Sequence, residues 1–123
     1  MNIALWIAQG LLALTFLYSG AMKSTQAKDA LIAKGQTGIA PFPVPVIRIV
    51  AILEILAAIG CVLPWLTGIA PVLTPLAAVG LALVMIGAAI AHSSLREYKQ
   101  VLGVNLPLFL VCVFVAVGRF AGW

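Results

Sequence analysis

The sequence predicts an all-α fold, an integral-membrane antiparallel four-helix bundle, and three observations predict it. The first is composition. Of 123 residues, 64% are hydrophobic and 8% charged, and the mean hydropathy is +1.22, whereas a soluble domain carries about a quarter charged residues. Three acids and seven bases cannot build a water-facing surface, so lipid must solvate most of it. The second is the presence of four apolar stretches, at about 3–22, 46–63, 70–91 and 104–120. At 1.5 Å per residue each crosses a hydrocarbon core of ~30 Å. The third is length, which leaves room for a single domain over residues 1–123 and no separate globular module. The net charge of +4 comes from bases too few and too scattered for nucleic acid. It reads instead as a signal for membrane orientation.

The first span, Ile3 to Met22, is interrupted only by Gln9, Thr15, Tyr18 and Ser19. Ser19-Gly20-Ala21 offers small residues of the kind found at leader cleavage sites. However, no basic segment precedes Ile3, and the apolar run is longer than a leader's, so it is read as a true span. The longest connection follows, from Lys23 to Pro45, and Ala27 to Lys34 within it has the composition of a short interfacial helix. Pro43 and Pro45 open the second span, where a missing N–H costs nothing. That span, Val46 to Leu63, holds Arg48 and Glu54, and Pro64 is read as closing it.

Trp65-Leu66-Thr67-Gly68 turns quickly into the third span, which carries no charge. Ser94 and Glu97 have capping-box spacing and predict one interfacial turn before Gly103. The fourth span has Asn105 at its start, two residues before Pro107, and Arg119 at its end. Small residues supply the packing, because helix association in lipid has no hydrophobic driving force and depends on close backbone approach. Gly10, Ala13, Leu17 and Gly20 form the expected seam of the first helix. Ala77, Gly80, Gly87 and Ala91 offer small faces on the third.

Four spans put both termini on one side, face A, and the 23–45 and 92–103 connections on the other, face B. Face B holds Lys23, Lys28, Lys34, Arg48, Arg96 and Lys99, and face A holds Arg119 alone. Positive charge marks the cytoplasmic side, so both termini are expected outside. Trp6, Trp65 and Trp123 fall at face A, while Tyr18 and Tyr98 fall towards face B. These are headgroup levels suited to amphipathic rings. With Arg48 and Arg119, the three tryptophans are read as interface anchors.

Glu54 is the most informative residue. It lies eight positions into its span, about 12 Å from face B, where an ionised carboxylate is costly unless paired, protonated or reached by water. Arg48 is six residues away, a rotation of about 600°, so it points elsewhere and snorkels to face B. The partner must come from another helix. Lys23 ends the first helix, His92 ends the third, Asn105 opens the fourth, and Tyr18 lies on the same half. The expected polar cluster is therefore Glu54, Lys23, His92, Asn105 and Tyr18. Four of the five also have a plainer reading: a structural ion pair with Lys23 for Glu54, an interface anchor for Lys23, a polar helix end for His92, a cap for Asn105.

No phosphate loop, nucleophile elbow or haem ligand pair is present, and one histidine makes no metal site. Cys61 and Cys112 lie in apolar stretches without a CxxC pairing and read as small buried hydrophobes. No catalytic residue and no cofactor motif is identified, so the chain is not expected to be an enzyme on its own.

The ordered set of motifs resembles the DoxX-like family of small four-helix membrane proteins. The matching stretches are Phe16-Leu17-Tyr18-Ser19-Gly20-Ala21-Met22-Lys23, and Arg48 to Glu54 leading to Gly60 and Leu63-Pro64. Leu76 to Ala82 with Met85 to Ala88 and His92 matches too, as do Asn105 and Gly118-Arg119-Phe120. The family takes its name from membrane subunits linked to thiosulfate–quinone oxidoreduction. The resemblance implies a multi-pass protein of a bacterial inner membrane, with a membrane or redox partner or a second copy of itself beside it. Three functions follow as expectations. The first is binding of a lipophilic ligand, a quinone or lipid, by the polar cluster in support of a redox system. The second is a non-enzymatic assembly or anchoring role. The third, ranked last because one short bundle leaves little room for alternating access, is proton-coupled movement of a small solute on Glu54.

Overall fold

The computed structural model describes residues 2–33 and 39–122; the predicted face-B base Lys34 and the face-A anchor Trp123 lie outside the described residues. In chain order the elements are α1 (Asn2–Thr25), α2 (Lys28–Ala33), α3 (Val44–Gly60), α4 (Leu63–Thr67), α5 (Leu73–Ser94) and α6 (Tyr98–Gln100). A π-helical turn, Val101–Asn105, then leads into α7 (Leu106–Phe120). Four stretches are long and apolar enough to cross a membrane: Asn2–Thr25, Val44–Thr67, Leu73–Ser94 and Tyr98–Phe120. Their 22 to 24 residues rise about 33–36 Å, enough for the hydrocarbon core and a turn at its edges. The fold is the all-α membrane bundle that composition and span length predict.

The four long helices form an antiparallel ring. α1 packs most extensively on α3, and α5 on α7, while α1–α7 and α3–α5 close the ring more lightly. Leu12, Phe16, Leu81, Met85, Cys112 and Val115 meet in the shared core. Ile3, Leu14, Ile49, Leu56, Leu83 and Leu110 are exposed. In water such a surface would aggregate; in lipid it is the matching solvent face.

The packing face of α1 is rotated from the expected seam. Leu5, Ala8, Gln9, Leu12, Phe16 and Gly20 are buried, whereas Leu17 is exposed and a Cβ on Gly10 would meet nothing within 4 Å. Of the two glycines in that seam only Gly20 makes a close approach, since a Cβ there would lie 2.7 Å from the Ala51 carbonyl oxygen and from Ile55 Cγ1. Large residues dominate the rest of the face because α1 wraps a core that must be filled. The small-residue rule holds only where two backbones cross. On α5 the expected small face is likewise open at Gly80 and Gly87.

The second span is broken, and Pro64 starts its last turn instead of closing the helix. α3 ends at Gly60, Val62 leaves the helical region, and Pro64 sits at the start of α4. A proline has no N–H for the carbonyl four residues back, here that of Gly60. Thr74 Oγ1 on α5 donates to that carbonyl at 2.8 Å, and Gln9 Nε2 on α1 donates to the Cys61 carbonyl at 2.6 Å. Both freed acceptors are thus met by side chains from neighbouring helices, as burial in lipid demands. Gly68, at φ 73°, caps α4 in the left-handed conformation that glycine adopts without steric cost.

Pro107 acts similarly in the fourth span. Its ring would press on the Gly103 carbonyl in a regular helix, and the π turn over Val101–Asn105 widens the helix there. The span therefore begins at Tyr98, earlier than predicted, and Asn105 lies inside it without capping it. α2 stands within the predicted interfacial segment. Its Leu31 is buried against Ile39 and Ile47, and Lys28 Nζ donates to the Phe42 carbonyl at 2.6 Å.

Candidate functional site

The face-B half of the bundle carries a cleft between α3 and α5, the lightest-packed pair of the ring. Its volume is about 390 Å³, and Glu54, Lys23, His92 and Gln100 line it together with apolar side chains including Val46, Val50, Leu83 and Val84. Val46 and Leu83 are exposed, so the cleft's rim belongs to the lipid-facing surface. Gly87 also lines it. The absent side chain of Gly87 is part of the space.

Glu54 is 0% exposed. Its Oε1 accepts from Lys23 Nζ at 3.1 Å, and the lysine side chain is only 15% exposed. α3 brings Glu54 to the α1 interface because Ile47, Ala51, Glu54 and Ala58 recur at helical spacing on its buried face. The last turn of α1 delivers Lys23 from above. Arg48 reaches across to the Lys23 carbonyl through a hydrogen bond from its guanidinium. It ties the end of α1 to α3, beyond the snorkelling role expected of it, and places a cation at a helix C-terminus, where the dipole favours one. The second carboxylate oxygen, Glu54 Oε2, is buried without a hydrogen-bond partner among the described residues.

His92 lines the same cleft, but its partner is Glu97, with Nδ1 and Oε1 2.9 Å apart. The backbone explains this. Arg96 takes φ 59°, Arg96 N–H donates to the Ser93 carbonyl, and Glu97 N–H donates to the His92 carbonyl. These are the two bonds of a Schellman cap, and they fold Glu97 back over His92. The expected capping box is absent, since Ser94 Oγ donates to the Ala91 carbonyl within its own helix.

Two members of the expected cluster lie elsewhere. Tyr18 is 67% exposed; it sits two residues, about 200°, from the buried Phe16 and so faces lipid. Asn105 is buried, with its Nδ2 3.8 Å from Met85 Sδ, and borders a separate groove between α5 and the π turn. Gln100 joins the cleft unforeseen, because a fourth span starting at Val104 left it in a loop.

A second polar network occupies face A. Arg119, expected as an outward anchor, is 3% exposed. Its Nε donates to Gln9 Oε1 at 2.7 Å and its Nη1 to Asn2 Oδ1 at 3.0 Å. Its guanidinium lies 4.6 Å from the Trp65 ring centroid and 5.5 Å from that of Trp6, within cation–π range. The two tryptophans thus hold Arg119 inward at the membrane edge. Gln9 is the residue missed here. Its signal was a carboxamide in mid-span together with a proline four residues after Gly60, which frees carbonyls for it to serve.

Among the described residues no cluster of three metal-ligating side chains occurs. Cys61 and Cys112 are free and buried in the core.

The fold and the site together define a multi-pass membrane protein, a four-helix bundle with a buried ion pair at the floor of an interhelical cleft. The chain matches the DoxX-like family over residues 7–116 and belongs to it. No curated protein and no solved structure matches it.

Proposed function

We propose that this DoxX-like protein is a membrane component that holds a lipophilic, quinone-like ligand in the α3–α5 cleft, in support of a redox partner. One observation carries this reading. The cleft, within the 300–1,000 Å³ usual for small-molecule sites, has apolar walls and a fully buried carboxylate with an unused oxygen. Leaving such an acceptor unsatisfied in hydrocarbon is costly, so a ligand that meets it gains affinity. Electrons would come from a partner.

Mass analysis of lipophiles retained by protein purified in nanodiscs tests the reading. A bound lipophile near one equivalent, reduced by Glu54→Gln, is expected. Repeated absence, or retention indifferent to Glu54, overturns it.

The second reading is an assembly or anchoring subunit, and the polar ties at both ends of the bundle favour it. Lys23–Glu54 joins α1 to α3, and Arg119–Gln9–Cys61 joins α7, α1 and the end of α3. It predicts membrane proteins that co-purify with the chain whether or not the cleft is filled. For orientation, Lys23, Lys28, Arg48, Arg96 and Lys99 gather at one end and the buried Arg119 at the other. This supports placing face B in the cytoplasm of a bacterial cell and both termini outside.

A further inference from the structure

Building on the ligand-binding reading, we propose that the cleft selects an amphiphile with a neutral hydroxyl head, a phenol or alcohol, over heads that only accept hydrogen bonds or carry charge. Glu54 Oε1 already receives Lys23 at 3.1 Å, while the buried Oε2 receives nothing among the described residues. An ionised carboxylate oxygen only accepts, and an ammonium only donates, through three N–H groups. Glu54 and Lys23 both line the cleft; Oε2 is buried, and a small rotation of the carboxylate on ligand entry sets an acceptor and a donor side by side at the floor. A hydroxyl complements both, since it has one O–H to donate to Oε2 and two lone pairs for Lys23.

An ether or ketone head has lone pairs alone. It can take a hydrogen bond from Lys23 but sets acceptor against acceptor at Oε2, which stays unsatisfied. Charged heads fare worse. The Lys23–Glu54 pair is neutral in sum, so a carboxylate or phosphate meets Glu54 and an ammonium meets Lys23, in surroundings that screen little. The remaining walls, among them Phe42, Val50, Leu83 and Val84, suit a hydrocarbon or aromatic body. For a ligand of the quinone type, the cleft takes the dihydroxy form in preference to the dicarbonyl form.

The test is equilibrium dialysis of the full-length protein in nanodiscs, corrected against empty discs, with 4-nonylphenol, its methyl ether 4-nonylanisole, and 4-nonylbenzoic acid. The ether keeps the shape and the acceptor and loses only the donor. The phenol is expected to bind about tenfold or more tighter than the ether, and the acid weakest. In Glu54→Gln the carboxamide both donates and accepts, so the phenol-to-ether ratio should fall to within about threefold of one. Gly87→Leu, whose side chain would enter the cleft without touching the ion pair, should remove binding of both neutral probes. Equal binding of phenol and ether to the parent protein overturns the hydroxyl selection and leaves lipophile binding standing. Failure of every probe to bind overturns the ligand reading together with it. The comparison on the parent protein needs no variant to fold.

Discussion

Lys23 and Glu54 show how one side chain sets the energetics of another in lipid. Removing the lysine alone leaves an uncompensated carboxylate buried at 0% exposure, whereas removing both charges leaves an apolar contact. Lys23→Met should therefore cost about 3 kcal/mol or more of stability, and adding Glu54→Leu should restore much of it. Reversible unfolding in mixed detergent micelles would measure both; equal loss in the single and double variants would show that the pair is not coupled. Arg119 makes the parallel case at face A. Lysine at that position keeps the charge but cannot hold Gln9 and Asn2 together while lying between two indoles. Arg119→Lys should cost about 2 kcal/mol in the same assay. Glu54 and Lys23 were legible in the sequence because an acid in mid-span demands a partner, and few cations reach its depth. Arg119 was less legible, because a polar residue near a span's end is satisfied by headgroups as easily as by another helix, and Gln9 because a mid-span carboxamide carries no charge that demands a partner.

Helices pair here through faces whose angular position depends on single residues. Gly20 is the one position of the expected α1 seam where a methyl group has no room, with Ala51 backbone oxygen at 2.7 Å. Gly20→Ala should destabilise by about 1–3 kcal/mol, while Gly10→Ala, with open space around it, should be neutral or stabilise by up to about 1 kcal/mol. Thermal unfolding of the two variants side by side decides this. If they shift alike, the α1–α3 crossing is not as close as described. The cap of α5 offers a second case. Arg96 occupies a left-handed position, φ 59°, where a Cβ is strained by about 1–2 kcal/mol. Arg96→Gly should raise stability by about 1 kcal/mol after its own entropic cost, seen as a higher melting temperature. The helix breaks follow the same logic. Pro64 and Pro107 were visible in the sequence, but whether each ends a helix, starts one or widens one depends on which neighbouring groups can take up the freed carbonyls.

At the scale of the whole molecule, the ring is asymmetric in charge and in closure. Its basic end also holds the cleft, between α3 and α5, the ring neighbours that pack least on one another. The proposed orientation predicts that, with Cys61 and Cys112 replaced by alanine, a cysteine at Ala121 reacts with an impermeant maleimide in intact cells. A cysteine at Lys99 should react only after permeabilisation, and the reverse pattern would invert the assignment. Composition and span length by themselves determined that the chain is an all-α, four-span membrane bundle, because a continuous apolar stretch of about 20 residues satisfies its own backbone groups in hydrocarbon as a helix, whereas a barrel strand is half as long. A mid-span acid determined that some cation must come to it from another helix. Only the tertiary structure decided which polar groups share a space. That choice depends on helix rotation, and a few tens of degrees turn Tyr18 to the lipid, Asn105 to another groove, and Glu54 to the lining of the cleft.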